Sequence, residues 1–197
     1  FESSWIFRRA DRIFLPGEKV AILGPNGSGK STFLQIVLGS LTLTEGSITW
    51  VHPNGPLDPD QVYGKLAFAA PYLELPDELT LQELLKFHFS FKPVLHGLSL
   101  TELIAISGLS HAAGRPIRTY SSGMRQRVRL LLACCSDTPL LVLDEPCSNL
   151  DRSSTEWYHG LVERFVMDRT VLVGSNHQAD EHSFCDQSLD ITAWKVA

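Results

Sequence analysis

A glycine-rich turn between an apolar run and a helical pattern is the feature that most constrains this fold. Residues 19–23 are almost entirely apolar, as in a buried strand, and residues 32–38 have helical periodicity that ends at Gly39. The turn between them comprises Gly24, Pro25, Asn26, Gly27, Ser28, Gly29, Lys30, Ser31 and Thr32. It matches the pattern G-x-x-x-x-G-K-[ST], which predicts a strand, a phosphate-binding loop (P-loop) and a helix in direct succession.

The residue types in this turn suit the phosphates of a nucleotide. Gly24, Gly27 and Gly29 can adopt backbone angles that are closed to other residues, so main-chain N–H groups can approach an anion. The N-terminus of the following helix adds a partial positive charge. Lys30 supplies a full charge to the β and γ phosphates, and the Ser31 hydroxyl can bind Mg²⁺. We therefore expect residues 24–32 to bind a nucleotide.

Two adjacent carboxylates follow a second apolar run. Residues 140–143 are continuously apolar and lead into Asp144, Glu145 and Pro146. In P-loop NTPases an aspartate at a strand end holds the Mg²⁺ site, which is the role expected of Asp144. Glu145 would then lie beside the γ phosphate, where a carboxylate can act as general base on a water molecule.

The distribution of apolar runs indicates an α/β fold. Runs at 19–23, 139–143 and 170–173 alternate with helical patterns, which is typical of a mainly parallel sheet covered on both faces. Further strands are predicted at 48–51 and 66–70. The stretch 72–133 has helical patterns and is predicted to be an inserted helical subdomain of a single domain that spans 1–197.

Charge and composition restrict the possible partners. The 197 residues carry a formal net charge of −5, so the basic surface typical of a duplex nucleic-acid binder is missing and no nucleic acid is expected. The longest uncharged run, residues 31–44, is too short to cross a bilayer, which takes about 20 apolar residues. The four cysteines form no C-x-x-C pair and no signal peptide is visible, which favours a reducing, cytoplasmic setting.

A third motif opens a predicted helix in the middle of the chain. Residues 120–128 read Tyr-Ser-Ser-Gly-Met-Arg-Gln-Arg-Val. Ser121 is a favourable N-cap, and an apolar face follows at Val128, Leu131, Leu132 and Cys135. A serine- and glycine-containing turn at a helix N-terminus can bind phosphate. The three arginines at 125, 127 and 129 are interpreted as a solvated face.

The order of these motifs resembles that of the ATPase domain of ABC transporters. Residues 121–127 resemble the family signature, usually L-S-G-G-Q followed by a basic helix; Ser122 replaces a glycine and Met124 replaces the glutamine. Ser148, Leu150 and Asp151 match the family's D-loop. The resemblance implies a P-loop NTPase core in which the helical subdomain lies between the P-loop and the Walker B strand, the apolar run at 139–143. It also implies a small antiparallel β element near the N-terminus.

Three further family features are less regular in this chain. A switch histidine is expected at His177, although the spacing to Asp186 would fit Asn176 one residue better. The aromatic residue that stacks on adenine is assigned to Phe1, with Trp5 as the alternative. The family's glutamine that contacts Mg²⁺ should fall within residues 69–72, where none is present.

The resemblance implies the ATP-binding and ATP-hydrolysing subunit of an ABC transporter, with ATP and Mg²⁺ as cofactors. In such proteins two ATPase domains, identical or different, sandwich the nucleotide. Ser121, Ser122, Gly123 and Met124 would thus bind the ATP of the partner domain. A separate membrane-spanning subunit and a peripheral location on the cytoplasmic face of the membrane are also implied. Two alternatives remain, a soluble ABC-type ATPase acting on nucleic acid, ribosomes or cofactor assembly, and a binding module with negligible turnover.

Overall fold

A parallel five-stranded sheet forms the centre of the computed structural model, which describes residues 5–52 and 55–195. The strands are β1 (Lys19–Leu23), β2 (Val51–His52), β3 (Gly55–Pro56), β4 (Leu66–Ala69), β5 (Leu140–Asp144), β6 (Thr170–Ser175) and β7 (Gln187–Asp190). The parallel sheet has the order β4-β5-β6-β1-β7, and β2 and β3 form a separate antiparallel pair. The predicted α/β class is therefore confirmed.

The described residues form seven α-helices around the sheet. They are α1 (Lys30–Val37), α2 (Pro59–Val62), α3 (Leu81–Phe91), α4 (Leu100–Ser107), α5 (Ser122–Cys134), α6 (Arg152–Phe165) and α7 (Ala179–His182). Helices α3, α4 and α5 lie between β4 and β5 in the chain, in the stretch predicted to be helical. The assignment of 72–133 as a subdomain of a single domain stays a prediction. Within the described ranges, no helix is both long and apolar enough to cross a bilayer.

The sheet is buried on both faces, which explains why its central strands are continuously apolar. Val20, Ile22 and Leu172 pack with Phe33 and Leu34 of α1 on one face. The alternate residues of β6, Val171 and Val173, face the other way and join a larger cluster that contains Leu131, Tyr158 and Phe165. The centre of the sheet is therefore packed between two apolar layers.

The prediction of a strand at 48–51 is wrong except at its last residue. Only Val51 and His52 pair, with Pro56 and Gly55 of β3. Trp50 O still accepts a hydrogen bond from Leu57 N–H at 2.8 Å, but its indole docks onto α1, where Nε1 donates to Val37 O at 2.8 Å, and residues 48 and 49 lie outside the ladder. The short edge strand β7 was not predicted from the sequence.

The carboxyl ends of the parallel strands meet at one edge of the sheet. Asp144 of β5 lies opposite Gly174 of β6, and Leu23 of β1 lies opposite Ser175 of β6 and Asp190 of β7. In open α/β sheets ligands bind outside this edge. The P-loop and the Asp144–Glu145 pair are therefore neighbours in space, although about 120 residues separate them in the chain.

Candidate functional site

The loop between β1 and α1 brings its backbone into contacts that exclude side chains at two glycines. Gly24 has φ 155°, and a Cβ there would lie 2.6 Å from Ser28 Oγ. Gly29 has φ 102°, and a Cβ there would lie 2.6 Å from Ile6 Cγ2. Both positions are restricted to glycine by strain and by space. The predicted succession of strand, glycine loop and helix is confirmed.

Lys30 lies inside this loop as the first residue of α1. Its side chain is only 4% exposed, and its Nζ donates to the carbonyl oxygens of Gly24 at 2.9 Å and Pro25 at 3.2 Å. The hydroxyl of Ser28 is buried and has no hydrogen-bond partner within the described part of the chain. A buried cation beside an unsatisfied hydroxyl fits a loop that binds an anion, because each gains a partner from it.

Asp144 occupies the end of β5 and is 1% exposed. Burial raises the pKa of its carboxyl group, and hydrogen bonding by Ser31 and Tyr72 opposes that shift. Its Oδ2 accepts a hydrogen bond from the Tyr72 hydroxyl at 3.1 Å. Its Oδ1 is buried without a hydrogen-bond partner among the described residues. A buried carboxylate with one unsatisfied oxygen gains from a cation or another donor placed beside it.

The oxygens of Ser31 and Asp144 fit a Mg²⁺ site. Mg²⁺ prefers oxygen ligands and is usually held by one or two protein groups together with substrate phosphates. Asp144 interacts with the Ser31 hydroxyl and carries the unsatisfied oxygen. The part of the chain that the structure describes contains no group of three or more His, Cys, Asp or Glu residues placed to hold a metal. A Mg²⁺ ion bound by one oxygen each of Ser31 and Asp144, with phosphate oxygens as its other ligands, agrees with both observations.

A Cβ at Gly174 would disturb the surroundings of Asp144. It would lie 2.6 Å from Asp144 Oδ1 and 2.8 Å from Leu34 Cδ1, inside the packed core. We expect Gly174→Ala to lower the free energy of unfolding by about 1–3 kcal/mol, as measured by urea denaturation. Gly160→Ala is the matched control, because no heavy atom lies within 4 Å of a Cβ there and alanine in α6 should add about 0.5–1 kcal/mol. Equal stabilities of the two variants would contradict this packing.

Glu145 follows Asp144 at the mouth of the site. Its backbone has φ 45°, and its N–H donates to Gly174 O at 2.9 Å. This sharp turn leaves the strand direction and places Glu145 in the wall of a cleft of about 270 Å³. The other walls are Ile6, Asn26, Gly27 and residues 29–32. A carboxylate and a P-loop in one cleft can together bind a phosphate chain and accept a proton from water.

The N-terminal segment reaches this cleft through Ile6. Trp5 stacks instead under Arg8, whose Cζ lies 4.6 Å from the centre of the indole ring. Phe1, the residue assigned to adenine, lies outside the described residues. Ile6 was not identified from the sequence, because an isolated apolar residue before a P-loop has no distinguishing pattern.

The signature-like turn caps α5, as the sequence predicted. Ser121 Oγ accepts a hydrogen bond from the Met124 N–H at 3.2 Å, and Ser121 and Ser122 are exposed. A Cβ on Gly123 would lie 3.0 Å from Asn149 O, so the turn packs closely against the 148–151 loop. None of the described residues 121–124 lines the P-loop cleft of the same chain.

The 148–151 loop connects Glu145 to α6. Ser148 N–H donates to Glu145 O at 3.0 Å, and Leu150 N–H donates to Cys147 O at 3.1 Å. Asp151 caps α6 by accepting from Ser154 N–H at 2.8 Å. Its hydrogen bonds lower the pKa of Asp151. The loop is therefore fixed at both ends.

The polar side chains of α5 are not the solvated face that the sequence suggested. Arg129 Nε donates to Leu73 O at 2.6 Å, and Gln126 Nε2 donates to Pro146 O at 3.0 Å. Arg127 lies over the ring of Trp157, 4.5 Å from its centre. These partners come from distant parts of the chain, which local charge patterns do not reveal. Helix α5 thereby contacts the segments that follow both β4 and β5.

The segment after β6 contains both candidates for the switch residue. Asn176 is half-buried, whereas His177 is exposed and has φ 58°. The geometry therefore leaves the choice between them open. Nearby Glu181, which the sequence did not single out, is 1% exposed and accepts from Ser175 Oγ at 2.5 Å and from Cys147 N–H at 3.3 Å. It connects this segment to the residue that follows Pro146.

The parallel sheet, the P-loop at β1 and the carboxylates at the end of β5 define a P-loop NTPase. The sequence profile of the family described as ABC transporter matches residues 9–148, so the chain belongs to that family. The predicted resemblance is thus confirmed.

Named relatives cover several activities. The chain is 28% identical over 98% of its length to an uncharacterized ABC transporter ATP-binding protein, YdbJ, of Bacillus subtilis, and spans 64% of that protein. It is 29% identical over 88% of its length to the cytochrome c biogenesis ATP-binding export protein CcmA of Cupriavidus pinatubonensis, spanning 77% of it. It is 34% identical over 79% of its length to the ribosome protection protein VmlR of Bacillus subtilis, but spans only 26% of that protein.

A solved structure has the same fold. The dimeric bacterial ABC transporter cassette MJ0796 superposes with a TM-score of 0.74 at 25% sequence identity, over 95% of this chain and 87% of that one. That cassette is a dimer.

Proposed function

We propose that this chain is the ATP-hydrolysing subunit of an ABC transporter and works as a dimer with a second ATPase domain, identical or different. The observation that carries the proposal is a single cleft that contains Lys30, Ser31 and Glu145, with Asp144 beside it. This combination provides charge for the phosphates, oxygens for a metal ion and a carboxylate for a water molecule. Membership of the ABC family supports ATP as the nucleotide.

Each residue of the cleft has a role that follows from its position. Lys30 and the N–H groups of the glycine loop would bind the β and γ phosphates. Ser31 and Asp144 would hold Mg²⁺, which neutralises charge that develops on the phosphates. Glu145 would accept a proton from the attacking water, and its fixed backbone turn orients its carboxylate. His177, or Asn176, would contact the γ phosphate.

A second ATPase domain would complete the site. Ser121, Ser122, Gly123 and Met124 lie at an exposed helix N-terminus and outside the cleft of their own chain. A helix N-terminus attracts anions, so these residues suit the γ phosphate of a nucleotide held by the partner domain. The dimeric state of MJ0796 supports this arrangement. Ser148, Leu150 and Asp151 would then face their equivalents in the partner.

The membrane partner of the proposed transporter is a separate subunit, and the chain would bind it from the cytoplasmic face. The names of YdbJ and CcmA support this assignment. Similarity to VmlR favours a second candidate, a soluble ABC-type ATPase that acts on ribosomes. The net charge of −5 argues against it, because ribosome binding generally requires a basic surface. Nucleotide-dependent sedimentation with ribosomes would favour the second candidate, whereas ATP-dependent co-purification with a co-expressed membrane-spanning subunit would favour the first.

Nucleotide binding is tested directly at Lys30. We expect Lys30→Ala to weaken MgATP binding by about 10- to 100-fold, since a hydrogen bond to a charged group contributes about 1.5–3 kcal/mol. Isothermal titration calorimetry measures the effect. Lys65→Ala, outside the cleft, is the control and should bind as the wild type does. Unchanged affinity of Lys30→Ala would refute the nucleotide site.

A further inference from the structure

Tyr72 contacts the metal site from the segment that follows β4. Its hydroxyl donates to Asp144 Oδ2 at 3.1 Å, and its ring lies 6.2 Å from that of Phe68. This segment is the one in which the family carries a glutamine and this chain has none. From the segment after the edge strand β4, the side chain of Tyr72 reaches the end of β5. It brings a hydroxyl group to Asp144 from a different part of the chain.

The main chain beside Tyr72 is anchored independently of that contact. Leu73 O accepts a hydrogen bond from Arg129 Nε at 2.6 Å, and Arg129 Nη1 donates to Gln126 Oε1 at 3.3 Å. Gln126 in turn donates to Pro146 O at 3.0 Å, two residues after Asp144. Helix α5 therefore holds the segments after β4 and β5 at a fixed separation. The Tyr72 hydroxyl is kept within reach of Asp144 by bonds that do not depend on its own side chain.

The two oxygens of Asp144 differ in their surroundings. Oδ2 accepts from Tyr72, whereas Oδ1 is buried and has no hydrogen-bond partner within the described ranges. Carboxylates that bind metal ions are usually held by hydrogen bonds from neighbouring groups, and loss of such a partner typically lowers metal affinity by about 10- to 100-fold. Tyr72 has the position and the chemistry of such a partner.

We propose that Tyr72 is a positioning residue of the metal site, which orients Asp144 for Mg²⁺ by donating a hydrogen bond to its Oδ2. The proposal rests on the function proposed above, in which Asp144 and Ser31 hold Mg²⁺. It explains how the site is completed in a chain whose segment 69–72 lacks the family's glutamine. Tyr72 acts through Asp144, so its effect should disappear when that carboxylate is removed.

The test is a Mg²⁺ titration of nucleotide binding by Tyr72→Phe, which loses only the hydroxyl and keeps the ring against Phe68. The probe is a fluorescent methylanthraniloyl derivative of ATP, with protein in excess. We expect the Mg²⁺ concentration at half-saturation to rise about 10- to 100-fold, while nucleotide affinity in EDTA stays at the wild-type value. The matched control is Tyr63→Phe, at an exposed tyrosine outside the cleft. This variant should need the same Mg²⁺ concentration for half-saturation as the wild type.

A double-mutant cycle with Asp144→Asn separates positioning from a general structural effect. If Tyr72 acts through Asp144, Tyr72→Phe should change the Mg²⁺ requirement little when Asp144→Asn is already present. A Mg²⁺ requirement within twofold of wild type in Tyr72→Phe, or an equal loss in both backgrounds, would overturn the proposal while nucleotide binding by the wild type still stands. Wild-type protein that binds no nucleotide in Mg²⁺ or in EDTA would instead overturn the proposed function and this proposal together.

Discussion

Replacing Glu145 by glutamine should reduce the rate of ATP hydrolysis by at least about 100-fold, the lower limit for the loss of a positioned general base. The amide keeps the size and hydrogen-bonding capacity of the side chain but cannot accept the proton of the attacking water. Binding of MgATP should stay near the wild-type value, because the phosphate-binding groups are unchanged. Steady-state ATPase assays and calorimetry on the same preparations measure the two effects.

The control for this experiment is Glu163→Gln, on the exposed side of α6, which makes the same change in charge away from the cleft. It should hydrolyse ATP at the wild-type rate. If Glu145→Gln also retains that rate, the base lies elsewhere and the proposed role of Glu145 is wrong. A parallel loss of ATP binding would instead show that the residue contributes to affinity.

Placing a carboxylate at the start of α5 should eliminate turnover with little effect on the isolated domain. Aspartate is as good an N-cap as serine, so Ser121→Asp should preserve the helix. In the proposed dimer the new charge would face the γ phosphate held by the partner, and like charges repel. We expect normal nucleotide affinity of the monomer, no dimer in size-exclusion chromatography with ATP, and no measurable hydrolysis. Ser99→Asp, which alters the N-cap of α4 in the same way, should remain active.

Mixing two inactive variants tests whether the site is shared. A dimer of Ser121→Asp with Lys30→Ala contains one intact P-loop facing one intact signature turn. An equimolar mixture should recover up to about half of the wild-type activity, because each mixed dimer has one competent site of two, whereas each variant alone should be inactive. Full activity of Ser121→Asp alone, linear in protein concentration, would refute the shared site.

Local sequence signals predicted the elements that carry the motifs. The glycines around Lys30, the apolar run before Asp144 and the N-cap at Ser121 each correspond to an observed strand end or helix start. Glycine angles, strand hydrophobicity and helix capping all act within a few residues, so they can be recognised without tertiary information. Strand β5 ends at Asp144, one residue later than the predicted run.

Features that depend on contacts between distant segments could not be predicted in this way. The Tyr72 hydroxyl meets Asp144 only because β4 and β5 are neighbours in the sheet. Arg129 donates to the main-chain carbonyl of Leu73, in the segment after β4, although the pattern of three arginines on α5 predicted a solvent-exposed face. The indole of Trp50 docks on α1 through a hydrogen bond to Val37 O, and the residues before it do not continue the strand. In each case a tertiary hydrogen bond overrides the local pattern.

The hydrogen bonds of Lys30 to Gly24 O and Pro25 O make phosphate binding an exchange of partners. These two bonds tie the start of α1 to the first residues of the loop, so Lys30 stabilises the loop from within. The free energy that Lys30 contributes to affinity is the difference between its bonds to phosphate and its bonds to the loop. One lysine can thus stabilise the loop and bind phosphate, but part of its interaction with phosphate is offset by the loop contacts that it gives up.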